Sequence, residues 1–300
     1  MRLLTHRDFD GVVCAVLLKD VEDIDKIVFT TPNSVIRNKV FVTKYDVISD
    51  LPYHKKCGMW FDHHTTNRIS LKFEGSFALE KSCAQVIYNY YENPYLDKYR
   101  ELIEITNKID SAEYEIEDVL EPKGYILIAF SSIVYDKPWE TDKYLLKMVN
   151  WLSFKKPEEI LEIPEVKDNA EIILKDIEFY KDIIEAWSEV EDNKFFVLDM
   201  RGGRQAPKIG KFLVHALHSK IPFGIIIYQS QKNPNLIKIN VSYNMFRKDV
   251  DTDFNAGAYA EQYGGGGHKR VGVFTVKGEE KAQNLIEKTK EVLREIKLNQ

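Results

Sequence analysis

The apolar stretch that ends in Trp60-Phe61 passes without transition into Asp62-His63-His64. Three adjacent side chains able to bind a metal rarely serve packing at the end of a buried strand, because burying them without partners is costly. A second junction of the same kind lies at the N-terminus, where Leu3-Leu4-Thr5 runs into His6-Arg7-Asp8-Phe9-Asp10-Gly11. Two apolar strands that deliver His and Asp at their C-terminal ends constrain the fold strongly, since open parallel sheets place their ligands there.

The surrounding pattern agrees with such a sheet. Up to about residue 110, short apolar strands (Arg2 to Thr5, Lys26 to Phe29, Val47 to Ser49, Gly58 to Phe61) alternate with helical stretches, among them Val12 to Leu18 and Ser82 to Glu92. From Asp97 to about Glu189 the pattern is mainly helical, and Lys167 to Glu189 reads as a connecting helix. A second alternating region follows: a strand at Phe195 to Leu198, a helix from Pro207 to His218, and strands at Phe223 to Tyr228, Leu236 to Val241 and Val271 to Val276. A terminal helix from Glu279 to Lys297 closes it. The expected fold class is α/β, with a parallel-sheet N-terminal domain and helical connector over residues 1–190 and a smaller α/β domain over 191–300. The active site is expected in the cleft between them.

Charge narrows the possible partners. A net charge of -5 opposes tight, sequence-independent binding of long duplexes, which needs many cationic phosphate contacts. A small phosphorylated ligand held by a few local cations remains compatible. Polar residues begin at His6, where a signal peptide would need its apolar core, and no later stretch approaches a membrane span, so no membrane role and a cytoplasmic location are expected. The three cysteines, Cys14, Cys57 and Cys83, form no CxxC pair and read as small apolar residues.

His6, Asp8 and Asp10 alternate and can share one side of an extended segment. Imidazole nitrogen among several carboxylate oxygens suits manganese, or another divalent ion of borderline hardness, better than a structural zinc site. Gly11 permits a sharp turn into a helix, although Asp8 as an ordinary helix cap explains the same residues. To bridge two ions a further carboxylate is needed. Asp50, at the end of Val47-Ile48-Ser49, is preferred to Asp46, which lies about 13 Å away at the start of that strand. Only eleven residues separate Asp50 from Asp62, short for a parallel crossover. Four successive glycines, Gly264 to Gly267, allow backbone amides to approach an anion, with His268, Lys269 and Arg270 adding donors; a flexible hairpin is the plainer alternative. Arg247, just past a strand, is a candidate for a bidentate phosphate contact. Arg201, Arg204, Lys208 and Lys211 form a locally basic segment that a solvated helix face explains equally well.

With these residues in view, the chain resembles the DHH phosphoesterase superfamily, which includes RecJ-type exonucleases, nanoRNases, cyclic-dinucleotide phosphodiesterases and family II pyrophosphatases. The His-x-Asp-x-Asp-Gly element, a strand-terminal Asp, Asp-His-His and a later isolated Asp, here Asp110, occur in the family's order. The C-terminal Gly264-Gly265-Gly266-Gly267-His268-Lys269-Arg270 resembles the glycine-rich signature of the family's substrate domain, with Val271 where Ala is frequent.

The resemblance implies two divalent metals, Mn2+ first among them: one on His6 and Asp8, the other on Asp10, His63 and Asp110, with Asp50 bridging. It implies Asp62 orienting His63 from behind, and His64 facing the scissile phosphate as a hydrogen-bond or proton donor. Gly265, Gly266, Gly267, His268, Arg270 and Arg247 would contact substrate. The implied function is two-metal hydrolysis of phosphodiester or phosphomonoester bonds in small nucleotides or short single-stranded oligonucleotides, such as nanoRNA, 3'-phosphoadenosine 5'-phosphate or dinucleotides. The alternative is phosphoanhydride hydrolysis of the exopolyphosphatase or pyrophosphatase type. A non-catalytic nucleic-acid-binding scaffold ranks lower because every candidate ligand is present.

Overall fold

The computed structural model describes residues 1–202, 206–230 and 233–298. The chain divides into two compact units, Met1–Tyr114 with Pro122–Ile172, and Glu115–Glu121 with Ile173–Gln300. Among the described residues no helix is long and apolar enough to cross a membrane.

The first unit is built on strands β1 (Arg2–His6), β2 (Lys26–Thr30), β3 (Asp46–Ser49), β4 (Met59–Asp62) and β5 (Gly75–Phe77), all parallel, in the order β2-β1-β3-β4-β5. Helix α1 (Phe9–Val21) joins β1 to β2, and α2 (Pro32–Ile36) follows β2. The chain first moves from β1 to β2 on one side, then returns to place β3 on the other. That reversal makes the C-terminal ends of β1 and β3 the topological switch point, the usual ligand crevice of such sheets. His6 ends β1 and Asp50 follows β3 directly.

Because residues alternate across a strand, the two sheet faces receive different partners. Leu3, Val47 and Phe61 face a core shared with α1, α3 (Cys83–Tyr91), α4 (Arg100–Asp110) and other helices; Leu4, Ile48 and Trp60 face a second core. Loops and the short helix α2, through Val35, cover this second face. The crossover from β3 to β4 contains no helix: its Leu51 packs into the second core and accepts a 2.8 Å hydrogen bond from Trp60 Nε1. Tyr53, Phe73 and Phe77 surround the Trp60 ring. The eleven residues between Asp50 and Asp62 suffice because a buried aromatic cluster replaces the crossover helix.

Beyond α4, the chain forms α5 (Ile116–Leu120), α6 (Gly124–Ser131), α7 (Pro138–Phe154), α8 (Pro157–Leu161) and α9 (Pro164–Trp187). The second unit carries a mixed sheet of six strands in the order β10-β11-β9-β8-β7-β6, comprising β6 (Ser188–Glu191), β7 (Phe195–Met200), β8 (Phe223–Gln229), β9 (Leu236–Tyr243), β10 (Gly266–His268) and β11 (Val271–Lys277). Helices α10 (Lys211–Leu217), α11 (Ala256–Glu261) and α12 (Glu279–Glu295) accompany it. Its core gathers Phe195, Phe223, Ile239, Phe274 and the apolar side of α12. The run ends in a strand, its last two glycines opening β10: a Cβ on Gly265 or Gly267 would lie 2.1 Å from Val273 O or 2.0 Å from Val271 O, so these two positions admit no side chain.

Candidate metal centre

The end of β1 and the start of α1 form a tight corner. Asp8 caps α1 and accepts from Gly11 N at 2.9 Å, and a Cβ on Gly11 would sit 2.2 Å from His6 O. Glycine thus lets the helix start press against the strand end and brings His6 and Asp8 together. Thr5 Oγ1 donates to Gly11 O at 3.0 Å and accepts from Ser49 Oγ at 2.9 Å, tying this corner to β3.

All six expected ligands converge. His6 Nδ1 lies 2.5 Å from Asp8 Oδ2 and 3.4 Å from Asp50 Oδ2. His63 Nε2 lies 3.3 Å from Asp110 Oδ2, 3.6 Å from Asp50 Oδ1 and 3.9 Å from Asp10 Oδ2. Ligand atoms of His6, Asp8 and Asp50 lie within 4.8 Å of one another, as do those of Asp10, His63 and Asp110. Asp50 stands between the sets with one oxygen toward each. Asp46 is elsewhere engaged: Arg2 grips both its oxygens at 2.8 and 2.7 Å, and Thr43 N donates to it at 2.6 Å.

The cluster fits divalent cations on its own geometry. Both Asp50 oxygens and His63 Nε2 are buried with no hydrogen-bond partner, an arrangement that strongly favours a compensating positive charge. Asp50 also sits at φ +55°, a left-handed backbone that a non-glycine residue holds at a cost of about 1–3 kcal/mol. The metal-free electrostatics show the same tension. Burial pushes Asp110 up to about 6, aided by the Asp50 charge, and burial with Asp50 and Asp110 nearby drives Asp10 well above the carboxylate range. Burial opposes the charge on His6 and His63, yet their carboxylate neighbours outweigh it and raise them to about 10 and about 9.

One expected contact is not made. Asp62 does not orient the His63 ring, whose Nδ1 lies 3.1 Å from Glu80 O. Asp62 Oδ1 instead accepts from the backbone amides of His63 and His64 at 2.8 and 3.2 Å and pairs with His64 Nδ1 at 2.9 Å; Asn67 Nδ2 donates to Oδ2 at 2.7 Å. Asp62 is therefore the partner of His64, because the chain bends back over the carboxylate immediately after β4. Sequence reasoning also missed Glu80, Asn67, the Thr5 and Ser49 hydroxyls, and the α3 amides of Cys83 and Ala84, which hold Asp10 at 2.7 and 2.9 Å. Ser82 before an apolar helical run was the available signal for that helix start.

In the second unit, Arg247 forms a bidentate pair with Asp249 and donates to Lys220 O. Arg270 stacks 4.5 Å over the Tyr243 ring and donates to Val250 O and Arg247 O at 2.9 and 2.8 Å, so both terminal nitrogens staple its own loop. His268 is exposed, and a Cβ at Gly266 would meet open space. Arg201 is engaged by Asp199 and Glu279; Arg204 lies outside the described residues.

The whole described chain has a close counterpart among solved structures. A pGpG-specific phosphodiesterase, PggH from Vibrio cholerae, aligns with a TM-score of 0.85 and 27% identity over 98% of each chain. The chain belongs to the DHH phosphoesterase superfamily. No family model matches the sequence, and no curated protein does. Two weaker likenesses bear on nothing that follows. An exopolyphosphatase-related protein from Bacteroides fragilis has TM-score 0.47 and 14% identity over 98% of this chain and 93% of that one. RecJ with Mn2+ from Thermus thermophilus has TM-score 0.44 and 12% identity over 95% and 50%. Likeness to that phosphodiesterase along the full chain, with the His and Asp groups brought together, supports a hydrolytic phosphoesterase.

Proposed function

We propose that this DHH phosphoesterase hydrolyses the phosphodiester bond of short linear nucleotides, with 5'-phosphorylated dinucleotides such as pGpG as first candidates, and that it uses two divalent ions, Mn2+ foremost. The observation that carries the reading is the unpartnered Asp50 carboxylate between two ligand sets, in a chain alike end to end with a pGpG-specific phosphodiesterase. His6, Asp8 and Asp50 would hold one ion; Asp10, His63, Asp110 and Asp50 the other. Oxygen-rich sets with one imidazole each suit Mn2+. Two such ions lower the pKa of water and neutralise charge on a phosphoryl group.

The protein's own contribution centres on His64. Its Nδ1 bond to Asp62 fixes the ring and leaves Nε2 to donate a hydrogen bond, or a proton, to a phosphate or leaving oxygen. The Asp62 contact raises the pKa of His64, which favours the proton-bearing form. Asn67 and two backbone amides hold Asp62 in turn. In the second unit, the glycine strand and exposed His268 are the candidate nucleotide contacts, whereas Arg247 and Arg270 serve their loop.

The test is a panel of pGpG, longer RNA, single-stranded DNA, 3'-phosphoadenosine 5'-phosphate and polyphosphate, each with metal-free protein and with added Mn2+. Mn2+-dependent cleavage fastest on the dinucleotide is expected. Bound Mn2+ without cleavage of any dinucleotide would overturn the reading, and turnover of polyphosphate alone would replace it with phosphoanhydride hydrolysis.

A further inference from the structure

One short segment touches two ligands of the Asp10–His63–Asp110 set and the helix that carries the third. Glu80 O lies 3.1 Å from the His63 ring. Cys83 N and Ala84 N each donate to one Asp10 oxygen, at 2.7 and 2.9 Å, in a fully buried setting. Ser82, with no exposed surface, caps α3 by accepting from Gln85 N at 3.1 Å and donates its own hydroxyl proton to Asn107 Oδ1 at 2.6 Å. Asn107 Nδ2 donates onward to Gln85 Oε1 at 2.8 Å. Asn107 precedes Asp110 by three residues on α4, one helical turn back and on the same face.

The chain of contacts is closed. Ser82 fixes where the first α3 amides point, those amides fix Asp10, and the Asn107 bond fixes the last turn of the helix that presents Asp110. We infer that Ser82 and Asn107 are positioning residues for this half of the centre: they hold Asp10 and Asp110 in register with His63, so that one metal position is formed before any ion arrives. Neither residue touches the metal position, and neither is needed by the set of His6 and Asp8.

The inference rests on the two-metal reading above, and the experiment separates the two. Mn2+ is titrated calorimetrically into metal-free wild type, Ser82→Ala, Asn107→Leu and the conservative Ser82→Thr, with thermal unfolding recorded for each. Wild type is expected to take up two equivalents. Ser82→Ala and Asn107→Leu should each weaken one equivalent by about 10–100-fold, the usual effect of losing a partner behind a ligand, and leave the other unchanged. Ser82→Thr, which keeps the hydroxyl, should restore most of that loss. A merely structural cap would lower the unfolding temperature of Ser82→Ala while both binding constants stay at wild-type values, and that result would overturn the inference. Equal weakening of both equivalents would overturn it as well. Failure of wild type to bind Mn2+ at all would instead remove the two-metal reading.

Discussion

His215 offers a quantitative test of how the second unit is held together. Its ring is 3% exposed, packed edge-on against Phe196. Met245 N donates to Nδ1 at 3.3 Å, which requires that nitrogen to be bare, and Nε2 then donates to Ser242 Oγ at 3.3 Å. Protonating Nδ1 would set one N–H against another in a site that already disfavours charge. Burial, with Lys211 and His218 nearby, lowers the group to about 3. Between that value and the unfolded value near 6.5, the unfolded chain binds more protons, so stability is lost as pH falls through this window. The loss is about 1.4 kcal/mol at pH 5.5 and about 2.7 kcal/mol at pH 4.5. The assay is urea unfolding of metal-free protein at pH 7.5 and 5.5, for wild type and for His215→Asn, whose Oδ1 can still accept from Met245. Asp110, raised to about 6, works in the opposite direction over this range, but it is common to both proteins and cancels in the difference. The contributions of His6 and His63, with raised values, are fully present below about pH 6.5 and are lost as pH rises from there toward 9–10, so each shifts by about 1.3 kcal/mol between pH 5.5 and 7.5 in the direction opposite to His215; they too are common to both proteins and cancel in the difference. His215→Asn should lose about 1.4 kcal/mol less than wild type on acidification to pH 5.5. An equal loss in both proteins would refute the argument from buried neutral histidine.

Three further outcomes are expected. Asp46→Ala should cost about 2–3 kcal/mol in urea unfolding, from the lost charged hydrogen bonds to Arg2, yet leave Mn2+ stoichiometry intact, whereas Asp50→Ala should abolish uptake of at least one Mn2+; the reverse pattern would exchange their roles. Asp62→Asn should lower kcat about 10–100-fold with Mn2+ binding retained, because the His64 ring loses its anchor; an unchanged kcat would exclude His64 orientation as Asp62's task. Adding Mn2+ at about 100 times its dissociation constant should stabilise the protein by about 2.7 kcal/mol per site and raise Tm, reversibly with chelator; no shift would contradict the metal centre.

The legible parts of the fold were those where chemistry and burial coincide in sequence. β1, β3 and β4 announce themselves because a strand buried on both faces is a continuous apolar run, and each ends where polar residues must begin. β5 and β10 did not: Gly75-Ser76-Phe77 and Gly266-Gly267-His268 have little strand propensity and pair only because a neighbouring backbone accepts them. The first two residues of β6, Ser188 and Glu189, fell within the expected connecting helix, because they continue its polar pattern and become strand only by pairing with β7. The six ligands could be named, but not their supports. Which of two adjacent imidazoles reaches Asp62 depends on a bend after β4 that no local preference specifies, and backbone groups such as Glu80 O carry no side-chain signature at all.

Asp50 has an evolutionary corollary. Its left-handed backbone and two unpartnered buried oxygens make it a poor residue for stability, and glycine or asparagine would hold that turn more cheaply. Aspartate there works against the interest of the fold. In any chain of this architecture, drift to Gly or Asn at the corresponding turn would mark a copy that kept the scaffold and gave up the chemistry. Retained Asp would mark one still selected to bind its ions.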